Sequence, residues 1–241
     1  MRMTPLAAAL DSAKCVFFDF DGPICRLFSE HPAALVAGRL RKLLDDKAPR
    51  LLAGDEYEPH DPHSILRAAL HAAPGHELIR TVEQKLTQEE ETAAGSAAST
   101  PSAHALIEEL HGQGRTLAVT SNNSATAIRV YLNRYGLDKY FSPHVHGRQA
   151  DPILLKPDPD CLSRALKSTG TEPGECLMIG DTPSDWAAAK DVGVAFVGYA
   201  RTTPKAEALK QEEVQLIVGS MKEVLQAIRG TAGAVVRPPD N

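Results

Sequence analysis

Carboxylates follow two apolar runs in this sequence. Asp19 and Asp21 come directly after the first run, and Asp181 comes directly after the second. Side chains at i and i+2 of an extended chain point to the same side, and Gly22 permits a sharp turn after them. Converging buried carboxylates are costly unless a cation or a proton compensates them. The pattern indicates either a strand-end turn with solvated aspartates or a cation site.

The second acidic segment, Gly180-Asp181-Thr182-Pro183-Ser184-Asp185, also begins a predicted helix. If the two apolar runs are neighbouring parallel strands, Asp181 faces the same crevice as Asp19. Asp185 has a further explanation, because Thr182 at the N-cap, proline at the first helical position and an acid at the third resemble a capping box. We therefore expect Asp185 to cap a helix, to support the acidic site, or to do both.

Hydroxyl and amide side chains follow a third apolar run. The segment Thr120-Ser121-Asn122-Asn123-Ser124 lies just before a predicted helix, and a helix N-terminus with free N–H groups and neighbouring hydroxyls suits a phosphate. Ser124 also has the residue type of an ordinary N-cap.

One lysine lies between these segments. Lys156 precedes a helix whose predicted N-cap is Asp158, with Pro159 in its first turn. Most lysines are exposed on the surface, and that is one interpretation here. The other is that Lys156 is a charge partner for phosphate and for the aspartates.

Short apolar runs alternate with helical periodicity along the chain. This alternation predicts an open, mostly parallel, Rossmann-like α/β sheet flanked by helices on both faces. The predicted strands lie at residues 15–18, 117–119, 176–179, 194–197 and 214–218, and the helical segments at 101–113, 124–135, 159–168, 184–192 and 220–229.

The interval after the first strand breaks this rhythm, because it has no convincing strand and more helix than one crossover needs. The excess predicts an inserted α-helical cap over the carboxyl ends of the strands, where open α/β sheets bind ligands. Its helices are expected at Ala33–Leu44, Pro62–Ala72 and Glu77–Glu90, with a linker over Ala93–Ser102. The predicted division is a core of residues 1–25 and 101–229, a cap of 26–100 and a flexible tail of 230–241.

Composition narrows the class of protein. The 241 residues are 43% hydrophobic, with 26 Lys and Arg against 31 Asp and Glu, and no basic stripe suggests nucleic acid. No apolar run is long enough to span a membrane, and Pro5–Leu10 is too short for a signal-peptide core, which predicts a cytoplasmic protein. The four cysteines lack metal-ligand spacing and are expected to be reduced and mostly buried.

Together the motifs resemble those of the haloacid dehalogenase superfamily of phosphohydrolases, in the phosphoglycolate phosphatase-like branch with a helical cap inserted after the first strand. The similarity covers roughly 15–22 and 101–229. The matching motifs are Asp19-x-Asp21-Gly22, Ser121-Asn122, Lys156-Pro-x-Pro and Gly180-Asp181-x-x-x-Asp185, followed by Asp191-Val192-Gly193-Val194.

The resemblance implies roles for these residues. Asp19 is the implied nucleophile, which forms an aspartyl phosphate. Asp21 is the implied acid for the leaving alcohol and base for water. Mg²⁺ is implied, with Asp19, the Asp21 carbonyl and Asp181 as ligands and Asp185 in support. The implied phosphate ligands are Ser121, Asn122 and Lys156.

The leading hypothesis is a magnesium-dependent phosphatase for a small phosphorylated metabolite. A sugar phosphomutase of the same fold is an alternative that would need a bisphosphate activator, and a non-catalytic regulatory or scaffolding protein is an alternative from another class. Dehalogenation is disfavoured because it has no leaving alcohol for Asp21 to protonate. The sequence leaves open the substrate and the oligomeric state, with His31, His76 and Arg80 as possible cap contacts.

Overall fold

A computed structural model describes residues 3–53, 56–150 and 153–232. For residues 231 and 232 it describes the backbone only. Its main feature is a six-stranded sheet in the order β5-β4-β1-β6-β7-β8, in which every neighbouring pair is parallel. This confirms the predicted fold class. The strands are β1 (Cys15–Phe18), β4 (Thr116–Ser124), β5 (Val145–Arg148), β6 (Cys176–Gly180), β7 (Ala195–Tyr199) and β8 (Ile217–Val218).

Strand β5 is absent from the sequence prediction. Its sequence, Val-His-Gly-Arg, is polar, yet all four residues are buried. His146 and Arg148 are buried because side chains from other elements bond to them, and a local hydrophobic pattern does not contain that information. Only two residues of the run predicted at 214–218 form a strand.

Helices cover both faces of the sheet. The five predicted here are present as α5 (Ala103–Gly112), α6 (Ala125–Arg134), α8 (Asp160–Thr169), α9 (Pro183–Asp191) and α11 (Met221–Ala232). The sequence analysis missed α1 (Pro5–Ser12), α7 (Asp138–Phe141), α10 (Thr203–Gln211) and a 3-10 turn at Pro173–Glu175. Helix α10 buries only Leu209, so it has almost no apolar periodicity to recognise.

Alternation along β1 divides the core into two hydrophobic layers. Val16 and Phe18 pack into one layer, and Cys15 and Phe17 pack into the other. Successive side chains of a strand point to opposite faces, so a strand covered by helices on both sides is apolar throughout. This is why a continuous apolar run leads directly to Asp19.

A third hydrophobic cluster belongs to the helices between β1 and β4. It contains residues of α2 (Ala33–Lys47), α3 (Pro62–Ala72) and α4 (Glu77–Ala94), such as Leu40, Leu66 and Leu86.

The prediction of no strand between β1 and β4 is wrong, because β2 (Cys25–Arg26) and β3 (Ala98–Ser99) form an antiparallel pair. Two-residue strands are too short to produce a recognisable pattern, and β3 lies inside the stretch predicted to be a linker.

Three remaining predictions concern solubility, thiols and the tail. All four cysteines are free and buried. Among the described helices, none is both long and apolar enough to cross a bilayer. Residues 230–232 belong to α11 rather than to a tail, and 233–241 lie outside the described residues.

Candidate active site

Parallel pairing of β1 and β6 brings the predicted acids together. Phe18 lies opposite Ile179, and the backbone N–H of Asp19 donates to the Ile179 carbonyl at 2.9 Å. Asp19 and Asp181 therefore follow adjacent strand ends. Carboxylate oxygens of Asp19, Asp181 and Asp185 lie within 4.8 Å of one another, and all three residues are buried.

Gly22 allows the Asp181 carboxylate to lie close to the backbone after Asp21, for two reasons. Its φ of +123° lies in the region that favours glycine, and a Cβ there would lie 2.2 Å from Oδ2 of Asp181. The turn also holds Asp21, whose Oδ1 accepts a hydrogen bond from the Leu27 N–H at 2.8 Å. Burial raises the pKa of Asp21 to about 6 despite that hydrogen bond, and the Asp19 charge adds to the increase.

Asp185 both caps a helix and contacts the acidic site. Its Oδ2 accepts from the backbone N–H groups of Asp181 and Thr182, each at 3.0 Å, and the Asp185 N–H donates to the Thr182 hydroxyl. This is the capping box at the start of α9. Its other oxygen, Oδ1, lies 2.5 Å from Nζ of Lys156.

Lys156 is buried at the centre of the crevice rather than on the surface. Its Nζ donates to Oδ1 of Asp19 and to the Thr120 carbonyl, both at 2.9 Å, in addition to the Asp185 contact. Burial lowers its pKa, but Asp185 and Asp19 outweigh that effect and the pKa is raised, so the ammonium stays charged. Three partners match the three N–H donors of a lysine.

Helix α8 begins at Asp160, so the predicted N-cap lies one residue off. Pro159 occupies the N-cap position, and Asp158 is outside the helix. The Asp158 side chain still accepts from the Asp160 N–H at 3.0 Å. Asn122 also holds the segment before this helix, because its Oδ1 accepts a hydrogen bond from the Lys156 N–H at 2.7 Å.

The predicted phosphate-binding segment lines the same crevice. Ser121 is buried, and its hydroxyl accepts from the Asn123 N–H at 3.3 Å. Ser124 is the N-cap of α6, since its hydroxyl accepts from the Ala127 N–H. The crevice has a volume of about 350 Å³ and brings together all the acids, Lys156, Ser121 and Asn122. We call it the catalytic crevice.

The catalytic crevice carries an excess of negative charge. Among its described lining residues, five carboxylates face two lysines, one arginine and His63, so with the histidine neutral the formal negative charge exceeds the positive charge by two. Burial raises the pKa of Asp19 and of Asp181, with neighbouring acids adding to both increases and Lys156 or Lys205 opposing them. Acids with raised pKa values in one crevice are typical of a functional site.

A divalent cation fits this donor set. The two uncompensated charges equal the charge of Mg²⁺, and carboxylate oxygens are the ligands it prefers. Oδ1 of Asp181 is buried and has no hydrogen-bond partner in the described part of the chain. A buried carboxylate oxygen without a donor is costly, and a metal would satisfy it.

Four residues of the catalytic crevice are missing from the sequence prediction. Lys205, in the first turn of α10, forms an ion pair with Asp181, and Asp61, His63 and Arg67 come from the start of α3. Asp61 followed by Pro62 is an N-cap signal that marks the start of α3, but it does not indicate that this start lies beside the strand ends. No comparable signal distinguishes Lys205 from other lysines.

The residues suggested as cap contacts lie elsewhere. His31 contacts Glu89 at 2.7 Å, and the His76 side chain caps α4 by accepting from the Leu78 N–H. Arg80 and His76 line a separate cavity. None of the three lines the catalytic crevice.

A second group of buried charges joins α4 to the sheet beside the crevice. The Arg148 guanidinium donates to both oxygens of Glu90, at 2.8 and 2.9 Å, and to Oε1 of Glu83 at 3.1 Å. Glu90 also accepts from the Ser124 N–H at 2.9 Å and contacts His63 at 3.0 Å. We call Glu83, Glu90, Arg148 and His63 the interlayer ion cluster.

The pKa of Glu90 in this cluster is shifted in the opposite direction to the pKa values of Asp19 and Asp181. Burial alone raises the pKa of Glu90, but Arg148 and His63 overcome it, and the pKa lies below its usual range. Glu90 also accepts from the Asn123 amide at 3.1 Å. The cluster therefore positions the segment that follows Ser121.

Curated proteins resemble this chain over different lengths. Phosphoglycolate phosphatase of Rhodospirillum rubrum is 31% identical over 214 residues, which cover 78% of this chain and 81% of that enzyme. Phosphoglycolate phosphatase of Vibrio parahaemolyticus is 30% identical over 132 residues, which cover 55% and 57%. The match therefore spans little more than half of the Vibrio enzyme.

Solved structures and a family model complete the comparison. CbbY of Rhodobacter sphaeroides, solved in complex with phosphate, has the same fold with a TM-score of 0.65, at 17% identity and with 90% of this chain and 99% of that chain covered. The model described as haloacid dehalogenase-like hydrolase matches residues 13–193, which is most of the chain. The chain therefore belongs to the haloacid dehalogenase-like hydrolases, and its curated relatives in that family are phosphatases.

Proposed function

We propose that this protein is a magnesium-dependent phosphatase that hydrolyses a small phosphomonoester through an aspartyl phosphate on Asp19. The observation that carries the proposal is the position of Asp19, which lies against the Lys156 ammonium at 2.9 Å within a group of acids that outnumber the lysines beside them. The names of the relatives support phosphate-ester hydrolysis and make phosphoglycolate the first substrate to test.

In the first half-reaction, a carboxylate oxygen of Asp19 attacks phosphorus. The bond from phosphorus to the leaving oxygen breaks, and Asp21 gives that oxygen a proton, so the alcohol leaves neutral. A pKa of about 6 suits Asp21 to this role, because about a tenth of the group is protonated at pH 7, far more than for an ordinary aspartate. Lys156 keeps Asp19 anionic and therefore nucleophilic.

In the second half-reaction, Asp21 acts as the base. It removes a proton from water as the water oxygen attacks phosphorus, and the bond from phosphorus to Asp19 breaks. Inorganic phosphate leaves and the Asp19 carboxylate is restored. One group performs both proton transfers because it ends the first step deprotonated.

Asp19, Asp181 and the backbone carbonyl of Asp21 would hold Mg²⁺, which supplies positive charge opposite the phosphoryl oxygens. Asp185 supports this set by fixing the Asp181 backbone and Lys156. Ser121 and the Asn122 N–H donate to the phosphoryl oxygens in this proposal. The Lys156 ammonium provides positive charge beside them, and it would exchange one of its three present partners to donate to a phosphoryl oxygen in the transition state.

Residues 26–100 act as a cap over a core of residues 1–25 and 101–229 in this proposal. Helix α3 directs His63 and Arg67 into the catalytic crevice, and Arg67 donates to the Lys156 carbonyl at 2.8 Å. These contacts come from outside the core motifs, so the cap excludes water and selects the leaving group.

The test is phosphate release from a panel of phosphomonoesters by metal-free protein, with and without added Mg²⁺. Phosphoglycolate, sugar phosphates and nucleotides form the panel. We expect release only with Mg²⁺, and in water enriched with oxygen-18 a single turnover should put one heavy oxygen into each phosphate. Release that persists after metal removal, or phosphate without the heavy oxygen, would overturn the proposal.

A further inference from the structure

A second crevice opens beside the catalytic one and carries the opposite charge. Its volume is about 380 Å³, and Asp21, Asp181 and Lys205 line both crevices. Three basic side chains, Arg26, Arg201 and Lys205, surround it together with Tyr199. We call these four residues the cationic crevice.

Two of the three basic side chains form no ion pair or hydrogen bond with the described residues. Arg26 lies on β2 and Arg201 follows β7, and neither guanidinium has an ion pair or hydrogen bond with any described residue. Lys205 is paired with Asp181. Like charges gathered at one opening repel one another, so an anion placed between them is stabilised.

Tyr199 provides an independent observation that points to a ligand. The residue is only 4% exposed and lines the crevice, and its hydroxyl makes no hydrogen bond within the described ranges. Burial raises its pKa and the Asp181 charge adds to the increase, while Arg201, Lys205 and Arg26 each oppose it, so all three basic side chains act at this ring. Its hydroxyl oxygen is open to the crevice, where an anionic oxygen would accept its hydrogen bond.

The position of the crevice identifies which part of a substrate would enter it. The phosphoryl ligands Ser121, Asn122 and Lys156 line only the catalytic crevice. The two crevices share Asp181, Lys205 and Asp21, and Asp21 is the group that protonates the leaving oxygen in the proposed function. A group beyond Asp21 therefore belongs to the leaving alcohol and not to the transferred phosphate.

We infer that the cationic crevice binds a second anionic group, a carboxylate or a phosphate, carried by the leaving group of the substrate. This inference rests on the proposed function and narrows its substrate class to phosphomonoesters with a second negative charge. Arginine presents a planar fork of donors that matches carboxylate and phosphate oxygens. Phosphoglycolate, a phosphorylated carboxylic acid, belongs to this class.

The test measures binding rather than turnover, in the Asp19→Asn variant with Mg²⁺ present. Isothermal titration compares propylphosphonate with 3-phosphonopropionate, its longer carboxylate homologues and propane-1,3-bisphosphonate. We expect at least one doubly anionic ligand to bind about tenfold or more tightly than propylphosphonate. The carboxylate and bisphosphonate arms identify which anion the crevice prefers.

Two variants locate the effect. Arg26→Gln and Arg201→Gln should each bring the affinity ratio between the doubly anionic ligand and propylphosphonate towards one. Lys210→Gln, in the last turn of the helix that carries Lys205, is the matched loss of an exposed charge and should leave the ratio as it is.

The outcomes separate this inference from the proposed function. Equal affinities for all the ligands, or a preference that survives both arginine substitutions, would overturn the inference even in a protein that releases phosphate. A preference that both substitutions abolish supports the cationic crevice even if the wild-type protein releases no phosphate, in which case only the proposed function fails.

Discussion

The catalytic crevice and the interlayer ion cluster both bury carboxylates beside strand β4, yet their electrostatics are opposite. In the cluster, Glu90 accepts from Arg148, His63 and two groups of the segment after Ser121, and its pKa is lowered. In the crevice, Asp19 and Asp181 share two lysines with other acids, and burial raises their pKa values.

This difference in hydrogen bonding and in pKa distinguishes a buried carboxylate that stabilises the fold from one that is available to bind a ligand. A buried carboxylate with a full set of donors is stable as it stands, and removing its partner leaves an uncompensated charge. A buried carboxylate without enough donors is stable only when something else binds. The cluster therefore maintains the shape of the site, whereas the crevice has the electrostatics expected of the proposed cation and substrate site.

The largest effect should come from substituting Asp19, the proposed nucleophile of the catalytic crevice. Asp19→Asn is nearly isosteric but has no anionic oxygen, so we expect kcat for phosphate release to fall by about 10⁴-fold or more. The melting temperature should be unchanged or higher, because Lys156 keeps Thr120 and Asp185 as partners. Asp11→Asn, at an exposed position on α1, is the control. A variant that retains a few per cent of wild-type kcat would contradict the covalent mechanism.

The next effect concerns the two acids that follow β6. Asp181→Ala should weaken Mg²⁺ binding, measured by titration calorimetry, by about 100-fold or more, because it removes a proposed direct ligand and loss of an outer-shell partner alone typically costs about 10- to 100-fold. Asp185→Ala should weaken it less but should lower the melting temperature more, since Asp185 accepts three hydrogen bonds in the capping box. The reverse order of Mg²⁺ affinities would assign the ligand role to Asp185.

How far the sequence predicts this site depends on whether the information is local. Asp19 and Asp181 follow apolar runs, and parallel pairing is enough to bring them together. The helix Pro62–Ala72 has the predicted bounds because Asp61 and Pro62 mark its start. These features are encoded within a few residues of the elements that they define.

The interlayer ion cluster could not be predicted in that way. Arg148 lies in a strand that has no hydrophobic pattern, and its partner Glu90 is 58 residues away in the sequence. Each residue alone has the type expected on a surface. Only the folded structure makes Arg148 and Glu90 a buried pair. Lys205 and Asp181, which are 24 residues apart, likewise meet only in the fold, although the lysine stays partly exposed.

The third prediction breaks the cluster instead of the crevice. Glu90→Gln removes the charge that faces Arg148 and should lower the free energy of unfolding by about 3 kcal/mol. Glu91→Gln, one residue further along α4 and partly exposed, is the matched control and should have a small effect. Chemical denaturation measures both. If the two variants were equally stable, the cluster would not have the structural role assigned to it.

The smallest effect is the pH dependence of that difference, and its sign follows from the lowered pKa of Glu90. A carboxyl whose pKa is lower in the folded protein than its ordinary 4.5 stabilises the fold above that value, and the stabilisation declines as pH falls towards the folded pKa. Between pH 5 and pH 3, the advantage of the wild type over Glu90→Gln should therefore shrink by about 2 kcal/mol. Above pH 5 it should stay nearly constant, since Glu90 is then ionised in both the folded and unfolded states. An advantage that grew on acidification would mean that Glu90 is under-bonded, as the acids of the catalytic crevice are, and the contrast between the two regions would disappear.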